Sequence, residues 1–288
     1  EEPLPPAHHL QQIAPTMNAS LDWDLPCELV HLIDREADSV GHFRDWDAAG
    51  HRFLVRGEDR LVLYNRAPCL LSRIAMELHE QGQFRETCLV DWHGKAARQF
   101  VAEAEVVLHR PAKKKIDGKT KEIPGRPLEL RFVVACVYDD EGELLAEWKL
   151  LTNVPRQQAD NSQIALWYYW RWRIESYFKL LKSQGHEIEH WQQTNGLAIA
   201  RRLLVAAMAC VLVWNLERTE SAEADQLKTV LVKLSGRQMN RRRRWTAPAL
   251  LAGLHTLLSM LDLLADDKYN PEKLRSLLTQ TIPLLDTG

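Results

Sequence analysis

The chain has 288 residues, room for one large domain or two ordinary ones, and 45% of them are hydrophobic, so a sizeable core can be buried. A charged fraction of 26% together with ten tryptophans excludes a disordered chain, which would be poor in aromatics. The net charge of −2 excludes a polycation, so any affinity for nucleic acid must reside in local basic patches.

The five cysteines, Cys27, Cys69, Cys88, Cys136 and Cys210, are scattered and form no C-x-x-C pair. That pattern fits free thiols in a reducing cytoplasm better than a disulfide framework or a zinc site. No signal peptide opens the chain, and a start at Glu1-Glu2-Pro3 instead of Met points to a native beginning further upstream.

Residues 1–26 are polar and Pro-rich, with little periodicity. Leu29-Val30-His31-Leu32-Ile33 is a short apolar run that predicts a buried strand, ending at Asp34-Arg35-Glu36-Ala37-Asp38. A helix is expected over 39–49, with Gly50 as its C-cap. Strands are predicted at 53–56, 61–64, 101–108, 128–138 and 144–152, interrupted by one helix over 69–81. Residues 110–126 carry Lys113, Lys114, Lys115, Lys119 and Lys121 together with Gly118 and Gly125, and read as a mobile basic hairpin loop.

After Pro155 the pattern becomes helical. One helix is expected from a cap at Asp160 or Asn161 to about Ser183, ended by Gly185. A second, over 195–217, is apolar on most faces. Its strongest run, Leu203 to Leu216, is shorter than the ~20 residues a bilayer requires and reads as a buried helix. The tail holds Arg241 to Arg244, an amphipathic helix over 248–264 and a short helix after Asn270-Pro271.

The helix over 160–183 carries the most chemistry. Tyr168, Arg171, Glu175, Lys179 and Lys182 recur every three or four residues. At roughly 100° per residue they share an arc of about 80°, one stripe bordering the apolar face. Glu175 among cations can ligate a divalent metal, while Arg171, Lys179 and Lys182 hold phosphates on either side, arginine with a bidentate fork. The plainer reading is a solvated helix laced by the i,i+4 pairs Arg171–Glu175 and Glu175–Lys179.

Tyr168-x2-Arg171-x3-Glu175-x6-Lys182 resembles the Y-x2-R-x3-E-x6-K signature of bacterial insertion-sequence transposases related to that of transposon five, and Lys179 matches a further basic position in that helix. Asp34-Arg35-Glu36-Ala37-Asp38 is similar to the same family's DREAD segment, whose first Asp is the second catalytic carboxylate. Trp148-x3-Thr152 resembles its W-x-L-L-T segment, and Arg56 a strand arginine near the transposon end. These motifs occur in the family's order between about Leu29 and Leu216, with looser likeness over 247–278.

The resemblance implies an α/β fold: an RNase H-like catalytic core over 1–50 and 156–217, incomplete at its N-terminus, a β-rich insertion over 51–155 and an α-helical region over 218–288. It implies Asp34 and Glu175 as catalytic, metal-binding carboxylates of a two-metal Mg²⁺ or Mn²⁺ site. Tyr168, Arg171, Lys179, Lys182, Trp148 and Arg56 are its implied DNA-binding residues, with Trp148 stacking on a flipped base. The implied partners are double-stranded DNA at transposon ends and a second copy in a homodimeric synaptic complex, without a membrane, in the bacterial cytoplasm at the nucleoid.

The family's first catalytic Asp lies on a strand well upstream of DREAD, whereas only 33 residues precede Asp34. Asp22 and Asp24 lie too close to Asp34 and lack a preceding strand, so neither is a substitute. The expectation is a fragment of a DNA transposase with little or no activity alone. The alternative is an inert relic that binds DNA or inhibits intact transposase, and a third reading is a different nuclease on the same core.

Several residues keep two readings. Trp148 is either a strand-core aromatic or the stacking platform. Asp38 either supports Asp34 or starts a helix, and Glu36 reads as an exposed helix-start residue. The Arg241–Arg244 run either touches phosphates or is a solvated loop. His186-x3-His190 has helical spacing for zinc but lacks the third and fourth ligands such sites need.

Overall fold

The structure is a computed structural model, and it describes residues 9–92, 95–116, 119–182, 185–239, 244–265 and 271–273. Residues 1–172 and 173–288 form two compact units. Among the described residues they contain ten strands and eight α-helices.

The first unit is built on a mixed sheet. It comprises β1 (Val30–Ile33), β2 (Arg52–Arg56), β3 (Leu61–Tyr64), β4 (Ala67–Leu70), β5 (Arg85–Trp92), β6 (Lys95–Leu108), β9 (Leu128–Tyr138) and β10 (Leu144–Thr152). The spatial order is β1-β2-β10-β9-β6-β3-β4, with β5 also paired to β6. Only β1 and β2 run parallel; β10 then joins β2 antiparallel. The predicted core strand and the predicted insertion strands therefore belong to one continuous sheet.

β9 shows why the sheet has two faces of core. Nearly every residue along it is buried, so period-two alternation is lost. Leu130, Phe132, Val134 and Cys136 join one apolar cluster, while Val133, Ala135 and Val137 join another on the opposite face. The first cluster is closed by α2 (Val40–Ala48), through Phe43 and Trp46, and by α3 (Leu71–Glu80), through Leu71, Ile74 and Leu78. The second is closed by α4 (Asn161–Arg171), through Ile164, Ala165 and Tyr168. Phe43 stacks on Phe53 at 5.3 Å, fixing α2 against β2.

Several local expectations change. α1 (Ile13–Leu21) stands in the stretch read as irregular; Pro15 lies in its first turn, where the missing N–H costs nothing, and only Met17 and Ser20 are buried. The helix after DREAD ends before Gly50, whose φ of +81° suits the left-handed cap position. The basic loop is instead a two-stranded ribbon of β7 (Ala112–Ile116) and β8 (Lys119–Ile123), in register Lys113↔Glu122 and Lys114↔Lys121.

The long helix expected over 160–183 is also interrupted. Asp160 and Gln163 cap its start reciprocally. At Trp172, however, the backbone N–H bonds the carbonyl of Tyr169, three residues back, and the turn tightens. α4 ends at Arg171 and α5 (Arg173–Leu181) begins after it.

The second unit is helical: α5, α6 (Gly196–Arg218), α7 (Ala222–Leu234) and α8 (Ala247–Ala265). Its core gathers Leu180, Leu181, Ala206, Cys210, Val213, Leu231, Leu250 and Leu251. α7 and α8 approach closely at Gly253, where a Cβ would overlap the Leu231 carbonyl. α6 is not the buried helix expected. Its apolar run extends into 23 residues of which only Ala206, Cys210 and Val213 are buried, while Leu204, Val205, Met208 and Leu212 are exposed. By length and composition α6 and α8 are each long and apolar enough to cross a membrane. Of the arginine run only Arg244 is described, and of the last predicted helix only 271–273.

Candidate active site

Asp34 leaves the carboxyl end of β1, the end of a parallel strand where α/β sheets present their functional groups. Its backbone is extended, and its carboxylate accepts the Arg35 N–H at 2.8 Å, capping the 3-10 turn Arg35–Ala37. The Tyr168 hydroxyl donates to the same oxygen at 3.2 Å, and the Arg171 guanidinium approaches the other oxygen at 3.4 Å. The side chain remains 47% exposed, so it is oriented without being sealed off. Two motifs 134 residues apart in sequence meet here.

Tyr168 is fully buried, and burial pushes its phenol up from the ordinary value; the Arg171 charge works in the opposite direction. It therefore stays protonated at neutral pH and serves Asp34 as a donor. Arg171 lies 5.2 Å above the Tyr168 ring and 5.8 Å from the Trp172 ring. Its Nε is buried and has no hydrogen-bond partner among the described residues. Arg56 ends β2, beside β1, and its charge is felt at Tyr168. It lines a polar cleft of about 410 Å³ with Arg35, Glu58, Asp59, Glu147 and Lys149.

Trp148 has a different place from the exposed platform that the motif suggests. It is 2% exposed, on the inner face of β10, with its ring 5.6 Å from Tyr168 and 6.0 Å from Trp92. It is the strand-core aromatic of the two readings, and supports Tyr168 from below. Trp92 belongs to β5, a strand the sequence pattern did not reveal; its ring also meets Trp172 at 6.2 Å.

Asp38 turns away from the site. It accepts the Glu58 N–H and pairs with Arg60, tying the DREAD turn to the loop after β2. Burial pushes its carboxyl up, and Arg60 only partly offsets this. These contacts go to Glu58 and Arg60, and none reaches Asp34; Arg60 is the partner the motif did not announce.

The second unit carries the other signature residues. Glu175 is exposed in the first turn of α5. The i,i+4 pair Glu175–Lys179 of the solvated-helix reading does not form, and Lys182 pairs with Glu189 at 3.1 Å. His186 packs against His255 at 5.3 Å, and His190 faces Glu187. No group of three or more His, Cys, Asp or Glu fit to hold a metal occurs among the described residues. Asp34 in the first unit and Glu175 in the second each offer carboxylate oxygens, the donor type that hard divalent cations such as Mg²⁺ prefer.

A cleft of about 560 Å³ in the first unit is lined by Arg66, Thr152 and Arg156, among others, and not by Asp34, Tyr168 or Arg171. Arg131 in its wall donates to both Glu103 oxygens and to the carbonyls of Val154 and Ala159, a structural pin for the turn before α4.

A family model described as a transposase DDE domain matches residues 7–212. Among curated proteins no match is found.

Proposed function

The chain belongs to the DDE transposase family, and from that premise we propose that it acts in metal-dependent cleavage and strand transfer of DNA at transposon ends. The observation that carries this reading is the meeting of DREAD with the signature helix: Tyr168 and Arg171 both engage Asp34. DDE transposases generally use divalent metals. Asp34 and Glu175 are the proposed ligands here, of Mg²⁺ or Mn²⁺. Bound there, such ions would sharpen the attacking water or 3′-hydroxyl and stabilise the leaving oxygen.

The chain's own residues prepare that step. Tyr168 and the Arg35 N–H hold the Asp34 carboxylate in one orientation. Arg171 takes a phosphate oxygen of the scissile strand, and Lys179 and Lys182 take neighbouring phosphates. Arg56 holds the backbone of the transposon end. These contacts place charge where the phosphorane-like transition state develops it. On this reading residues 1–50 and 156–217 are an RNase H-like core, 51–155 an insertion and 218–288 an accessory region. The chain works as a homodimer on paired ends in the bacterial cytoplasm.

β1 is the edge strand of its sheet. The chain is proposed to be nearly inactive by itself, since Asp34 and Glu175 are two of the three carboxylates that the family's site uses. The alternative is a relic that binds transposon ends and poisons mixed dimers.

Nicking of a supercoiled plasmid bearing the element's own terminal sequences tests both. With Mn²⁺, an extended chain supplying the third Asp should nick at the ends, and Glu175→Ala or Asp34→Ala should remove at least about 2.7 kcal/mol of transition-state stabilisation, a hundredfold in rate. Nicking indifferent to both substitutions would refute the assignment. End binding with inhibition of active transposase, and no nicking by any extended form, would establish the relic.

A further inference from the structure

We propose that a cavity wholly within the second unit, between α5, the last turn of α6 and the first turn of α8, is a subsite for a DNA backbone phosphate. It has a volume of about 430 Å³, and Arg173, Ser176, Lys179, Arg218 and Thr246 line it beside a single carboxylate, Glu217. Arg173, Ser176 and Leu180 fall at i, i+3 and i+7 on α5 and so share one helix face. Trp214 and Leu180 supply an apolar wall that lowers the local dielectric and strengthens each charge–charge contact.

Three cations to one anion is an unbalanced lining. Lys179 and Arg218 are both exposed, and neither has an ion-pair partner among the described residues. Like charges held on one concavity repel until an anion enters. Guanidinium, ammonium and hydroxyl donors together suit a phosphate with several acceptor oxygens. The start of α8, with Ala247 and Pro248 in its first turn and Thr246 just before it, adds the positive end of a 19-residue helix to the same wall.

Position selects the ligand. Lys179 stands one turn beyond Glu175 on α5 and also lines the cavity, so a strand processed at Glu175 presents an adjacent phosphate here. The subsite thus rests on the proposed transposase reading and extends it with Arg173, Ser176 and Arg218. Its contacts are with backbone only, so it contributes affinity and register without sequence preference.

The test is fluorescence anisotropy of labelled duplexes of unrelated sequences against the full chain over a range of salt. Arg218→Ala should weaken binding equally for every sequence and reduce the slope of log K against log salt by about one, and Arg218→Lys should restore the slope. A slope unchanged in Arg218→Ala, while Arg56→Ala still lowers it, would overturn the subsite and leave the transposase reading standing. Loss of poly-glutamate binding with DNA binding intact would overturn it in favour of an acidic peptide. Absence of salt-dependent DNA binding by the unaltered chain would overturn both.

Discussion

The two units dispose of similar hydrophobicity in opposite ways. In the first, β9 is buried on both faces and even Trp148 and Tyr168 are sealed in the core. In the second, α6 has a mean hydropathy of 2.0 across its apolar window, yet 17% of that window is buried. A sheet hides apolar side chains by taking a layer on each face, whereas one helix packed along Ala206, Cys210 and Val213 covers a single stripe. Hydrophobicity along the chain therefore reports how much surface wants cover, and only the topology reports whether the element's own unit covers it. Contiguous open apolar faces of this kind mark contact surfaces.

Paired truncations sharpen that contrast. Trp148→Ala removes a side chain that is 2% exposed and leaves a cavity under Tyr168, and should cost about 3–5 kcal/mol in urea unfolding. Met208→Ala removes one that is 58% exposed and should change stability by no more than about 0.5 kcal/mol. Equal losses would break the comparison, because α6 would then be buried in solution.

A smaller effect probes the polar frame of the first unit. Burial alone would raise the Glu103 carboxyl, but hydrogen bonds from Arg131 and Arg156 outweigh it and hold the group below its ordinary 4.5. Unfolded chains then bind this proton more readily than folded ones, so its contribution is present above pH 4.5 and is lost as pH falls through the depressed value. Glu103→Gln should flatten that acid limb of the stability–pH curve while lowering stability at neutral pH. An unchanged acid limb would show that Glu103 is not held in its charged form.

Much of the first unit was legible in the sequence because its strands are short apolar runs between turn residues. β2, β3, β9 and β10 follow the predicted spans to within a residue or two. β5 was not, since Arg85, Glu86, Thr87 and Asp91 break any alternation on a strand that pairs only with β6. α1 was hidden by its proline and α7 by a mixed, largely exposed surface. The interruption at Trp172 had no signal at all: Tyr168 to Lys182 is uniformly helical in pattern, and the tightened turn comes from backbone hydrogen bonding. Of the site, Asp34, Tyr168 and Arg171 were readable from their motifs and come together. Trp148 was readable as a residue with two fates, and its burial was left open because a motif carries no solvent exposure. Arg60, Trp92 and Arg218 needed three-dimensional neighbours to stand out.

Whether Asp34 and Glu175 serve one metal centre is most directly measured by Mn²⁺ electron paramagnetic resonance on the full chain with bound transposon-end DNA. Asp34→Asn and Glu175→Gln should each abolish the same bound-Mn²⁺ signal, and the double variant should lose nothing further. Two signals lost independently, or a signal untouched by either substitution, would contradict a shared site.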